Sequence, residues 1–352
     1  MQTANDNITA ITSTEFDSAL KPENDELDSA SKAEKDVEAE KCLSIITLLS
    51  EDEKEKAART SYKYLVASTS ATSKDGDNSE KAPPPPPPST EERDKYAMAM
   101  ARRHLRAENG NEKKALQKMR NTIEYRDKMK IDVIRQCFTK NESDVTPPPE
   151  EEEEEEYQYH IDNLAPNLLE GKLFVRGYSK DDRALYISRA HLFEARGYDT
   201  EWFLKYNIYT LERAIACTER ATNGEIEKVI AIFDLGQYSN KVRTPLTLSK
   251  DITFCLRDHY PERLEKVFMI DAPFLFRAFY NLVYPFIDND TKQKIVFVTG
   301  DKEKEEKLGN MISKDQSMLF MQPGGEMDTD LDMKAYLYET PFDFTCEEER
   351  NE

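Results

Sequence analysis

The side chains best suited to proton transfer near neutral pH are four histidines, His104, His160, His191 and His259. They lie far apart and on different predicted elements. Asp258 beside His259, with Ser239 upstream, has the residue types of a nucleophile–base–orienter set. A serine nucleophile also needs a strained turn such as GxSxG and oxyanion donors, and the sequence supplies neither. His259 therefore reads as a helix-end residue. No glycine-rich phosphate loop, HExxH or metal-spaced cluster is present. Cys42, Cys137, Cys217, Cys255 and Cys346 are scattered and form no CxxC pair, so neither a disulfide framework nor a zinc knuckle is indicated. A reducing, cytoplasmic compartment is the simplest expectation. The sequence assigns no catalytic residue, metal or cofactor, and the chain reads as a binding protein rather than an enzyme.

The binding chemistry is concentrated between Asp258 and Gly300. A turn at Tyr260-Pro261 leads into Val267-Phe268-Met269-Ile270, a short apolar run that predicts a buried strand. Pro273 opens the segment Phe274 to Ile287, in which Arg277 and Asn281 are the strongly polar members. A second apolar run, Ile295 to Val298, follows. Two buried strands with a helix between them predict a βαβ crossover in a parallel sheet. A crossover helix normally has one apolar stripe and one polar face. This helix is apolar nearly all round, so it is either buried under other elements or a lid whose outer face meets something greasy. Phe274, Phe276, Phe279, Leu282 and Phe286 would be the lid and pocket residues. Tyr186, Tyr206, Tyr260 and Tyr284 read as core or cavity wall.

The run Tyr260-Pro261-Glu262-Arg263-Leu264, the Asp271-Ala272-Pro273 turn, Tyr284-Pro285-Phe286 and the Thr291…Lys294-Ile295 strand entry together resemble the CRAL-TRIO lipid-binding domain, in its phosphatidylinositol transfer protein type. The resemblance covers about 93–140 and 163–330. It implies an α/β fold, a mixed and largely parallel sheet flanked by helices and preceded by a small helical lobe. It also implies a cytosolic carrier holding one phosphatidylinositol-like or other hydrophobic ligand, with transient membrane contact. In phosphatidylinositol-binding members the positions of Glu262, Arg263 and Lys294 form the inositol-phosphate site. A further basic residue falls on Glu108 here, with Arg106 two residues away. Tyr186 matches one tyrosine of a choline site whose other members fall on Val175, Val229 and Ala231, which puts phosphatidylcholine binding in doubt. The family's Asp-Gly-Arg-Pro turn appears as Asp181-Asp182-Arg183-Ala184, and its late glycine pair as Gly324-Gly325. Glu262 and Lys294 could equally form an ordinary salt bridge between neighbouring elements.

Energetics divides the labour in such a site. A diacyl lipid leaving a bilayer gives up roughly 0.8 kcal/mol per CH₂, around 24 kcal/mol for about 30 of them. Only apolar surface can match that. Charged head-group contacts, on the order of 1.5–3 kcal/mol each, decide which lipid enters.

The rest of the chain is segmented by charge. Residues 1–92 carry −10, 93–140 carry +8, 141–161 carry −9 and 162–352 carry −9, for −20 in total. Such acidity argues against a general nucleic-acid or anionic-membrane binder, with the local basic block as the exception. Residues 1–92 are expected to be an acidic, mostly disordered region, with one or two short amphipathic helices in 41–67. Its proline run, Pro83 to Pro88, favours an extended spacer or a ligand for an aromatic-grooved protein module. Residues 93–140 form a basic helical lobe, with Asn111 capping a helix striped by Leu116, Met119 and Ile123. Residues 141–161, with Pro147 to Pro149 and seven glutamates from Glu150 to Glu156, read as a disordered acidic linker. The lipid-binding domain is placed at 162–340 and an acidic tail at 341–352. A second function class remains open at this point: an interaction scaffold that keeps the fold and recruits partners through its acidic and proline-rich segments.

Overall fold

The computed structural model describes residues 21–70, 86–138, 151–193, 199–239 and 245–345. Seven helices precede the first strand: α1 (Lys21–Thr47), α2 (Glu51–Ala58), α3 (Tyr62–Ser70), α4 (Thr90–Ala107), α5 (Glu112–Met129), α6 (Ile131–Gln136) and α7 (Glu151–Leu168). The sheet domain then runs β1 (Leu173–Tyr178), β2 (Ala184–Arg189), α8 (Thr200–Ala221), β3 (Val229–Asp234), α9 (Leu246–His259) and β4 (Leu264–Ile270). It continues through α10 (Phe274–Val283), α11 (Asn289–Lys294), β5 (Ile295–Val298), α12 (Gly300–Lys307) and α13 (Met333–Tyr338).

The five strands lie in sequence order; β1 and β2 are antiparallel and the other three pairs parallel. The expected mixed, largely parallel sheet is therefore what the chain forms. Leu185, Ile187, Ile230 and Ile232 are fully buried along β2 and β3, as strands covered on both faces must be. β5 is an edge strand, and its Ile295, Val296 and Phe297 remain half-buried.

α8 packs against strands β1, β2 and β3 and against helices α3, α6, α7 and α9. Asp199 caps it, its Oδ1 accepting from the amides of Glu201 (2.9 Å) and Trp202 (3.1 Å). It buries residues on all sides, charged ones included. Arg213, fully buried, donates to the carbonyls of Tyr336 (2.9 Å), Pro341 (3.2 Å) and Phe344 (3.1 Å) and lies 3.6 Å over the Tyr336 ring. Phe342 is buried as well, so residues 341–345 belong to the core rather than to an acidic tail. The remainder of that tail, with Cys346, lies outside the described residues.

Two other expectations change. Residues 21–70 are helical, not mostly disordered. Their composition is too polar to fold alone, but Cys42, Ile45, Ile46 and Leu49 are buried against Met100, Leu105, Met119 and Ile123 of the lobe. The apolar surface that offsets their ordering entropy is borrowed from α4 and α5. The glutamate run from residue 151 onward is the start of α7, not a linker. Carboxylates suit a helix N-terminus, and the far end of the helix is anchored by the fully buried Leu164 and Leu168. Residues 1–20, Pro83 to Pro85, Pro147 to Pro149 and Glu150 lie outside the described residues.

Candidate functional site

The helical lobe meets the sheet domain through buried charges. Glu212, on the otherwise apolar stripe of α8, accepts from Arg126 (2.6 Å) and from the Tyr260 hydroxyl (2.8 Å), and Arg135 stands 3.2 Å away. These cations hold its carboxyl down to about 2 although burial opposes ionisation. Arg103 pairs with Glu227, whose carbonyl also accepts from Arg263 at 3.1 Å. Glu219 accepts from the Ser61 hydroxyl (3.1 Å) and the Tyr62 amide (3.2 Å), and lies 3.5 Å from Arg263. Between these groups lies a cavity of about 20 Å³ lined by Arg103, His104, Thr122, Arg126, His259 and Arg263 among others. That volume suits a single water, not a lipid. The cluster is a joint.

His259 belongs to the same joint. Its ring stacks on Tyr125 at 3.8 Å, and its Nδ1 is 3.2 Å from the Thr122 hydroxyl. Asp258 is engaged by Arg257 at 2.8 Å. Both groups are committed to the fold, not to a nucleophile at Ser239.

The apolar site is built around α10. Asp271, in the left-handed region at φ 50°, turns the chain out of β4. Its carboxylate accepts from the Gly300 amide (3.2 Å) and pairs with Lys304 (2.5 Å), tying both ends of the βαβ unit together. Pro273 then starts the helix. Eight of its ten residues are apolar or aromatic, yet Val283 alone among them is buried. Phe274 is 86% exposed and Leu282 57%. The helix is held by ring edges: Phe276 on Tyr238 (5.2 Å) and Tyr280 on Phe297 (5.3 Å), with the Arg277 guanidinium 4.8 Å over Phe297. Phe279 is half-buried and packs on Phe276 at 6.3 Å; Phe286 meets Phe254 at 5.9 Å. Tyr186 is buried on the sheet beside Phe233, its hydroxyl donating to Asn207 of α8 at 3.2 Å.

The residues expected at the head group are not gathered in one place. Arg263 is buried in the joint. Glu262, at φ 60°, pairs with Lys228 (3.1 Å). Arg106 is clamped by Glu38, which accepts from its Nε (2.6 Å) and Nη2 (2.8 Å). Lys294 closes α11 rather than opening β5. Since Val267 pairs with Ile295, Lys294 comes just before the Ile295–Val267 pair inside the sheet, whereas Glu262 lies in the turn that precedes β4. Sequence reasoning missed Glu212, Arg126, Arg135 and Glu38. Glu212 was signalled by its place within the apolar spacing of Ile208, Leu211 and Ile215, and Glu38 by the opposite charges of the two N-terminal segments.

Residues 168–320 match the family model described as CRAL/TRIO domain. Over 143 residues the chain is 29% identical to the phosphatidylinositol transfer protein PDR17 of Saccharomyces cerevisiae, covering 39% of each chain. It is 28% identical over 161 residues to the SEC14 cytosolic factor of Candida glabrata, covering 43% of this chain and 52% of that one. The match therefore spans about half or less of these relatives' own length. The crystal structure of Sfh5 aligns over 83% of this chain and 97% of its own, with a TM-score of 0.47 and 14% identity. The matched segment, residues 168–320, holds all five strands and the helices from α8 to α12, and it is this part of the chain that is similar to a CRAL/TRIO domain.

Proposed function

We propose that this chain binds a membrane lipid and carries it between bilayers, with the acyl part held against the half-buried apolar surface beneath α10. The observation that carries this reading is α10 itself, an apolar helix that buries Val283 and is otherwise held by ring edges and cation–π contacts. Such a helix has little to lose by swinging away from β5, and displacing it would free Phe297, with Ile295 on the same face of the strand, for acyl chains. Its outer residues, Phe274 and Leu282, face outward, where they can meet a bilayer. Among the described residues no helix is long and apolar enough to cross a membrane, so contact would be superficial.

Head-group choice is assigned to Lys294 and Glu262, reaching one inositol phosphate from two points on the N-terminal side of the sheet. Lys294 would meet the phosphate, and Glu262 would accept from ring hydroxyls after exchanging Lys228. Arg106 joins them only after releasing Glu38. Arg263, committed to the joint, would act by holding the preceding Glu262 in position. The relatives' printed names support phosphatidylinositol as the first ligand to test.

Transfer of fluorescent phosphatidylinositol between donor and acceptor vesicles tests the role of α10. Phe274→Asp and Leu282→Asp should slow transfer markedly while leaving the melting temperature nearly unchanged, because neither side chain is buried. Wild-type transfer rates in both variants would remove α10 from the account.

A further inference from the structure

The two oppositely charged N-terminal segments are in contact, and the contact is specific. Arg102 and Arg106 stand one turn apart on the same face of α4. Glu38 of α1 covers that face, taking Arg106 in a two-point fork and lying 3.6 Å from the Arg102 Nε. Arg106 hydrogen bonding is the largest influence holding the Glu38 carboxyl below the usual carboxylate range. The same pattern continues along the chain: Glu51 meets Arg93 (2.7 Å), Glu53 meets Arg120 (2.9 Å), and Lys56 meets Asp127 (2.8 Å).

The pairs differ in what surrounds them. α1 is anchored to the lobe by Cys42, Ile45, Ile46 and Leu49, all buried. Upstream of Glu38, residues 32–37 are exposed and contribute no burial. The Glu38 fork therefore lies at the outer margin of the anchored part, where α1 can lift without disturbing the apolar clip. Arg106 is half exposed and Arg102 nearly so. An exposed fork of this kind is weak. It also has the geometry that a guanidinium offers to a phosphate oxygen pair. A carboxylate of this chain thus stands where a phosphate would fit.

We propose that the Arg102–Arg106 face of α4 is a docking surface for the phosphates of an anionic bilayer, covered by α1 through Glu38 until the bilayer competes the carboxylate away. This rests on the reading of the chain as a lipid carrier and adds to it the surface that meets the membrane. Charge complementarity selects the partner. The whole chain carries −20, so its long-range field opposes an anionic surface. Beyond a Debye length of roughly 8 Å that field is screened, and a local pair of arginines can dominate at contact. The cover then has a use: it keeps the face shut in solution and opens it where phosphates are dense.

The test is flotation of the full chain with vesicles of phosphatidylcholine alone or with added phosphatidylserine. Glu38→Gln should raise the fraction bound to phosphatidylserine vesicles on the order of fivefold, the factor associated with the upper range for one exposed ion pair. It should leave phosphatidylcholine binding as it is. Adding Arg102→Gln and Arg106→Gln to that variant should cancel the gain, and high salt should suppress it. Glu38→Ala provides a second uncovering variant, and thermal melts of each confirm that the fold persists. An unchanged bound fraction in both uncovering variants overturns the proposal. So does a gain that survives loss of both arginines, or a gain only in binding of soluble inositol phosphate. Lipid extracted from the same preparations separates the two readings. Protein that carries lipid but shows no gain on vesicles refutes the docking face alone, whereas protein without lipid refutes the carrier.

Discussion

At the scale of single residues, the most constrained groups belong to the joint rather than to a ligand. His104 is buried beside Arg103, and its Nδ1 has no hydrogen-bond partner among the described residues. Burial, helped by the neighbouring Arg103, pushes its pKa down to about 3. The folded state therefore keeps His104 neutral, while the unfolded chain takes up a proton near pH 6.5. Its contribution is fully present above pH 6.5 and is lost as pH falls towards 3. Urea melts at a series of pH values should show His104→Leu reducing the loss of stability between pH 6.5 and 4.5 by about 1.4 kcal/mol per pH unit, the value of one proton. His160 and His259 are also lowered by burial, so a residual slope should remain. An unchanged slope would mean that His104 is solvated. None of this was legible in the sequence: a histidine in a basic helix looks solvated until Thr60, Thr122 and Arg126 are seen closing around it.

At the scale of elements, the sequence was most informative where an element's period matched its environment. The continuous apolar run of β4, Val267 to Ile270, announced a buried strand, and Asn111 announced the α5 cap, its side chain accepting from the Lys114 amide at 3.1 Å. The sequence misled where stability came from elsewhere. α1 looked too polar to fold, because its apolar partners lie on α4 and α5, and the glutamates of α7 looked like a linker, because their anchor sits at the far end of the helix. The head-group residues were legible as residue types but not as positions. Spacing alone put Lys294 at the same sheet end as Glu262, while the β4–β5 register sets it just before the Ile295–Val267 pair, further in than the turn that holds Glu262. Placed at the end of α11 beneath the chain leaving α10, Lys294 retains a distinct role. Lys294→Ala should lower the share of phosphatidylinositol taken up from mixed lipids several-fold and spare a neutral ligand, because the apolar surface is untouched. Equal phosphatidylinositol content in variant and wild type would leave Lys294 as a solvated charge.

At the scale of the whole molecule, a helical lobe is locked to a sheet domain whose residues 168–320 match the CRAL/TRIO family model. α5 and α6 reach Glu212 of α8 through Arg126 and Arg135, and α4 reaches Glu227, just ahead of β3, through Arg103. Removing one partner of such a buried pair typically costs about 3–5 kcal/mol, so the joint is stiff. α10 has no buried ion pair of this kind among the described residues and is held by Val283 and ring contacts. In the proposed carrier the lobe and sheet would be a fixed floor and α10 an opening cover. The most direct measurement is the mass of what the protein holds. Full-length protein incubated with vesicles of mixed phospholipids, repurified and examined by native mass spectrometry with lipid extraction, should carry one lipid per chain, enriched in phosphatidylinositol over its share in the vesicles. Protein that emerges from the same incubation without any bound lipid would contradict the account.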